Sequence, residues 1–143
     1  MPGIGDTNRL ASLYDHTTAE GLVLPSLAAG IPVASANANW EYGDYVAIVA
    51  AGVITYRYHI HSLSIESADQ DGVYQVALYH SAAHVLVSSI RFAIVGGFFG
   101  NCFYPISSAM VPPSAQIDCR VAYNLGLANV GTLGISICYC VES

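Results

Sequence analysis

The stretch Val73–Val95, VYQVALYHSAAHVLVSSIRFAIV, decides how the rest of this chain is read. It holds two runs rich in β-branched and aromatic residues, Val73–His80 and His84–Val95, separated by Ser81-Ala82-Ala83. Such residues favour a pleated, half-buried surface, so the stretch predicts two strands joined by a short connection. Strict alternation assigns Leu86, Ser88, Ile90, Phe92 and Ile94 to one face of the return strand, and Val85, Val87, Ser89, Arg91, Ala93 and Val95 to the other. Only Arg91 is charged on either side. A strand with two apolar faces needs two partners, which predicts one face in the core and the other, carrying Val85, Val87, Arg91 and Ala93, against a sister subunit. A lone charge in that setting calls for a carboxylate or carbonyl partner.

Upstream, Asp69-Gln70-Asp71-Gly72 is a turn signal, and Val53–Glu66 reads as a strand. Its apolar phase slips by one, from Ile54, Tyr56, Tyr58 and Ile60 to Leu63 and Ile65, as a β-bulge would produce. Ala50-Ala51-Gly52 turns into it from Trp40–Val49, itself interrupted at Gly43-Asp44. Downstream, Gly96-Gly97 and Gly100-Asn101 break the chain around Phe98-Phe99, an apolar tip suited to wedging into a neighbouring subunit. Cys102–Met110 suggests a short strand, and Val111-Pro112-Pro113-Ser114 a rigid corner. Ala115–Leu125 reads as a strand with Ile117, Cys119, Val121, Tyr123 and Leu125 inward and Gln116, Asp118, Arg120, Ala122 and Asn124 toward water. Thr132–Val141 closes with Leu133, Ile135, Ile137, Tyr139 and Val141 inward. About seven or eight short strands with regular turns predict an all-β antiparallel sandwich over residues 39–143.

Residues 1–38 differ from this pattern. Asp6 could cap one or two helical turns through His16 with Leu10, Leu13 and Tyr14 on one side, and the segment that follows is small and punctuated by Pro and Gly. With too few large side chains for its own core, this region is expected to be an N-terminal arm ordered by a partner.

Composition narrows the function. Hydrophobic residues make up 54% of the 143 and charged ones 10%, against roughly 25% charged in an ordinary domain. A surface covered by other protein accounts for this. The longest uncharged apolar run, Tyr45–Tyr56, contains Gly52 and falls short of the ~18 residues of a membrane-spanning helix. MPGIGDTNRLASLYDH lacks the cationic-then-apolar order of a secretory signal, so a cytosolic site of synthesis is expected. Four scattered arginines and a net charge of −6 disfavour nucleic acid. Cys102, Cys119, Cys138 and Cys140 form no CxxC pair and are expected as reduced core or interface residues.

His59-x-His61 is the strongest chemical motif, because alternate strand residues can grip one metal ion. With Gly52, Glu66 and Gly72, the stretch resembles the first cupin motif. One spacer is a residue too long and another a residue too short, and no PxGxxH motif follows. A cupin-like metalloenzyme using His59, His61 and Glu66 is therefore an alternative; packed histidines are the expectation. There is no GxSxG elbow, Asp69-x-Asp71-Gly72 lacks the remaining ligands of a calcium loop, and no Lys follows Gly96-Gly97-Phe98-Phe99-Gly100. No catalytic residue, metal or cofactor is assigned.

Taken together, Ala36-Asn37-Ala38-Asn39-Trp40 with Gly43 leading into Val46–Ala50, then Gly52-Val53-Ile54, Ile60–Ile65, Val73-Tyr74, Leu78-Tyr79, Ile90-Arg91-Phe92, the Val111–Ser114 corner and Ile135-Ser136-Ile137 make a recognisable order of segments. Over roughly residues 34–141 it resembles small β-sandwich proteins of tailed-phage structural modules, assigned as capsid decoration (cement) or head-associated proteins. The hairpin tip departs from that pattern in having no glycine. The resemblance implies a jelly-roll-like sandwich, a homotrimer, and attachment to the major capsid protein on the outside of a phage shell after synthesis in the host cytoplasm. It also gives the arm a role, with Arg9, Leu10, Leu13 and Tyr14 as capsid contacts. A tail-fibre or receptor-binding head that binds glycans is the structural alternative.

Overall fold

The computed structural model describes residues 23–25, 30–97, 102–124 and 130–141. Arg9, Leu10, Leu13 and Tyr14, expected as capsid contacts, and the Phe98-Phe99 tip lie outside the described residues. Among the described residues there are nine strands: β1 (Val23–Leu24), β2 (Ile31–Ala34), β3 (Val46–Val49), β4 (Tyr58–Ala68), β5 (Gly72–His80), β6 (Val85–Ile94), β7 (Cys102–Pro105), β8 (Ile117–Asn124) and β9 (Thr132–Val141). Among the described residues no helix is long and apolar enough to cross a membrane.

The pairing is nested. β5 pairs with β6, β4 with β7, β3 with β8 and β2 with β9, all antiparallel. This ribbon is folded over itself, so that β9 also pairs with β4 and β8 with β5. One sheet therefore runs β2-β9-β4-β7, with β1 pairing the other half of β9, and the second runs β3-β8-β5-β6. That is the jelly-roll order. The hairpin quoted first is the innermost pair of the nest.

The two sheets close on a core of side chains that leave water almost completely. Tyr58, Ile60, Leu63 and Ile65 from β4 meet Tyr74, Val76 and Leu78 from β5, Ile117, Val121 and Tyr123 from β8, and Leu133, Ile135 and Ile137 from β9. The phase slip expected in β4 is a bulge: Ile60 pairs with Tyr139 and Ser62 with Cys138, leaving His61 as the extra residue. That bulge is why Tyr58 and Ile60 share a face with Leu63 and Ile65. Tyr56, expected in phase with them, precedes the strand and is exposed.

Three expectations are corrected. First, β1 and β2 fall inside residues 1–38, yet they pair with β9, and Val33 is fully buried. Pro32 is tolerated there because β2 is an edge strand. Second, neither Val87 nor Val85 shares the outward face of Arg91 and Ala93: Val85 pairs with His80, one residue past the outward Tyr79–Leu86 pair, and so lies on the opposite side of the sheet. Leu78 pairs with Ser88 but Tyr79 with Leu86, so Val87 is an inserted residue that turns into the core and is 5% exposed. It is already covered within one chain, whereas Val85, Arg91 and Ala93 are exposed. Third, the side of β8 expected to face water is largely covered: Asp118 is 5% exposed, Ala122 is buried and Arg120 half-buried. What covers it is the subject of the next section.

The four cysteines are free, three of them buried. Burial pushes the Cys119 thiol well above its ordinary range, with Asp118 adding to the shift, and raises Cys138 as well. Such thiols behave as small apolar side chains.

Candidate functional site

The strip Trp40–Tyr45 runs beside β8 before becoming β3. Trp40 N–H donates to the Tyr123 carbonyl at 3.0 Å and Gly43 N–H to the Val121 carbonyl at 3.0 Å. Gly43 is required: a Cβ there would sit 2.1 Å from the Ala34 carbonyl oxygen, so the strip can press against the end of β2 only without a side chain at that point. Alternation along the strip carries Trp40 and Tyr42 over the outer face of the β3-β8-β5-β6 sheet.

On that face the strip meets outward residues of three strands. Gln75 lies opposite Ala122 and Arg91, Ala77 opposite Arg120 and Ser89, and Tyr79 opposite Asp118 and Leu86. The side chains lock into two linked groups. In one, the Arg91 guanidinium stacks 4.2 Å above Trp40 and donates from Nε and Nη2 to the Gln75 amide oxygen at 3.0 and 2.6 Å. Gln75 Nε2 in turn donates to the Tyr42 hydroxyl at 2.6 Å. The partner expected for Arg91 is thus an amide carbonyl oxygen and an indole face.

In the second group, Arg120 is enclosed by three tyrosines, 4.7 Å from the Tyr42 ring, 4.3 Å from Tyr45 and 5.1 Å from Tyr79, and donates to the Tyr79 hydroxyl at 2.9 Å. Burial works against its charge, but the bond to Tyr79 and the surrounding tyrosines more than offset this, and the guanidinium pKa is raised. Tyr45 is also stacked on His84, with ring centroids 3.6 Å apart and planes 3° from parallel. His84 Nε2 lies 3.1 Å from the Asp118 carboxylate, whose other oxygen accepts from Gln116 Nε2 at 2.7 Å. The buried Asp118 is therefore satisfied from two sides, as a carboxylate out of water must be. Cation–π contacts of this kind contribute roughly 0.5–2 kcal/mol each, more as water is excluded.

The face is nonetheless open at its rim. Trp40 and Tyr45 are each 38% exposed and Leu86 55%, and Arg91 and Ala93 are exposed beside them. On the other side of the strip a groove of about 490 Å³ is lined by Pro32, Ala34, Ser35, Glu41, Tyr42 and Asp44, among others.

The sequence singled out Arg91 and Ala93 on this surface, whereas Val85, singled out with them, pairs with His80 and lies on the opposite face. The sequence missed Trp40, Tyr42, Tyr45, Gln75, Tyr79, His84, Asp118 and Arg120. The available signal was the i, i+2 spacing of Trp40 and Tyr42 in WEYGDY, which is strand-like and places two rings on one side. His59, His61 and Glu66 are not brought together as a metal group: among the described residues no cluster of three His, Cys, Asp or Glu could hold an ion. The bulge at His61 breaks the alternation on which the two-histidine grip depended.

No protein-family model matches the sequence, and no curated protein matches it. Among solved structures, the chain is similar to a carbohydrate-binding module, CBM36, in complex with calcium and xylotriose, with 16% identity, a TM-score of 0.39, and coverage of 75% of this chain and 78% of that one. It is similar to the insecticidal delta-endotoxin Cry8Ea1 from Bacillus thuringiensis, with 10% identity, a TM-score of 0.49, and coverage of 78% of this chain and 20% of that one. It is also similar to the VP2 subviral particle of infectious bursal disease virus, with 12% identity, a TM-score of 0.45, and coverage of 81% of this chain and 31% of that one.

Proposed function

We propose that this protein is a structural, non-enzymatic β-sandwich that works by protein–protein association, as a trimeric decoration protein on the outer surface of a phage capsid. The observation that carries the reading is the prelocked state of the outer face of the β3-β8-β5-β6 sheet. Trp40 is capped by Arg91, and Tyr45 holds both His84 and Arg120 against its ring. Rings already engaged in this way are poorly suited to stacking on a new small ligand. They are well suited to a protein surface, because aromatic and arginine side chains held in place lose little freedom on docking and dominate interface energy. Low overall charge and the resemblance to cement proteins support the same reading.

The test is addition of purified protein to preformed, undecorated shells. Co-sedimentation with the shells and a higher temperature of shell disruption are expected. Removing residues 1–20 is expected to weaken attachment, since that arm is the proposed shell contact. Protein that neither binds shells nor changes their heat resistance defeats the reading. A second reading, a glycan-binding head of a tail fibre, is favoured by the exposed edges of Trp40 and Tyr45 beside the 490 Å³ groove. Saturable binding on a glycan array, lost in Trp40→Ala, would select it.

A further inference from the structure

We infer that the outer face of the β3-β8-β5-β6 sheet is occupied by a second copy of this chain, docked head to tail, with Arg91 and Trp40 of one copy seated against Glu41 and Asp44 of the next. This deepens the structural reading above and rests on it.

The first argument is charge. The chain carries −6 overall, yet two of its four arginines sit on this one face. Arg91 is exposed and bonded only to the neutral Gln75 amide and the Trp40 ring, with no ion pair among the described residues. Glu41 and Asp44 are exposed as well, and their carboxylates have no hydrogen bond or ion pair among the described residues. Around the strip, a single chain thus presents one exposed cation and two exposed anions without an ion pair among the described residues.

The second argument is placement. Along the strip, Trp40 and Tyr42 turn over the sheet face, while Glu41 and Asp44 line the groove at the end of β2. The cationic aromatic patch and the acidic groove adjoin at Tyr42, which belongs to both. Two copies packed through the same patch would bring two cationic faces together. Packing patch into groove instead sets Arg91 against Glu41 and Asp44, and a contact between unlike patches builds a closed ring when its rotation closes. The trimer implied by the family resemblance is one such ring.

The third argument is preparation. Arg91 is held by two hydrogen bonds and a ring before any partner arrives, so docking removes little of its side-chain freedom. Exposed Trp40 supplies apolar area beside it, and Leu86 more of it farther along the same face of β6.

The experiment is charge reversal read by sedimentation velocity and light scattering. Wild type is expected to be a multi-chain oligomer that loosens as salt rises. Arg91→Glu alone, and Glu41→Arg with Asp44→Arg, are each expected to shift the mass to that of one chain with unchanged circular dichroism. Combining all three reversals in one chain is expected to restore the oligomer. The Glu41/Asp44 variant touches none of the hydrogen bonds of Arg91, so loss of association there cannot be blamed on a damaged sheet face. A monomeric wild type, or an oligomer indifferent to both reversals, overturns the inference. Shell binding separates the two proposals: a monomer that still decorates shells ends this inference and the trimer but leaves shell attachment standing, and an oligomer that obeys the reversals but never binds shells ends the decoration reading alone.

Discussion

Tyr58 and Tyr74 are both fully buried, but their hydroxyls meet different fates. Tyr74 donates to the Gln70 carbonyl at 2.6 Å, while the Tyr58 hydroxyl, buried beside Tyr139, has no hydrogen-bond partner among the described residues. A buried polar group without a partner costs more than its bond would have contributed. Tyr58→Phe is therefore expected to raise the free energy of unfolding by about 1 kcal/mol, and Tyr74→Phe to lower it by about 1 kcal/mol, both measured by denaturant titration. At this scale period-2 alternation placed Tyr58, Tyr123 and Tyr139 inward, as they are, but it also put Tyr56 in phase with Tyr58, and Tyr56 is exposed. The sequence could not show which hydroxyls find carbonyls, because Gln70 and Tyr74 meet through the geometry of the turn between β4 and β5. The same limit hid the site: Arg120, Tyr79 and Tyr45 come from three distant segments, and only their pairing across β8 and β5 brings them together.

At the scale of elements, the hairpin β5–β6 was legible almost to the residue, and so was the slip in β4. The bulge in β6 was not, because Val85-Leu86-Val87 is apolar throughout and gives no phase to break. The tip solves its lack of glycine with ordinary residues. Ser81 and His84 take positive φ of 68° and 53°, Ser81 N–H donates to the Gln116 carbonyl at 3.0 Å, and His84 N–H donates to the Ser81 carbonyl at 3.0 Å. The left-handed conformation at His84 sits in the turn that brings the imidazole over Tyr45 and beside Asp118, so the tip geometry and the binding face are one structure. A β-branched residue resists that conformation strongly. Ser81→Val is expected to lower stability by about 1–2 kcal/mol, visible as a lower melting temperature, whereas Ser81→Gly leaves it within about 0.5 kcal/mol of wild type, relief of strain offsetting the added freedom of the unfolded chain.

For the whole molecule, the core is unusually phenolic, and this sets a limit at high pH. Burial, reinforced by neighbouring Tyr139 for Tyr58 and by Tyr123 and Asp69 for Tyr74, holds both hydroxyls well above the ordinary tyrosine range. Burial raises Tyr123 and Tyr139 too. The folded chain therefore keeps protons that the unfolded chain releases above its ordinary tyrosine pKa of about 10. The stability these groups contribute is full below that value and is lost as pH rises toward the folded values. Stability measured by denaturation is expected to hold level up to about pH 10 and then to fall, with the tyrosinate absorbance of the buried rings appearing only together with loss of the β-sheet circular dichroism. Early, gradual ionisation of the whole set would contradict the buried core described above.

The nesting of the strands also decides the order in which a growing chain can acquire its structure. Once Ile94 has been made, the β5–β6 pair is complete in itself, but β4 must wait for β7 and then for β9 before it has a neighbour on each side. β9, at the centre of its sheet, is the last of these nine strands to be made. Until then the apolar face of β4 has no complete sheet to lie in, and pairings of such long sequence separation are slow to form and open to mispairing with other chains. Synthesis thus passes through an interval in which the hairpin alone is in place and the core side chains of β4 stand uncovered.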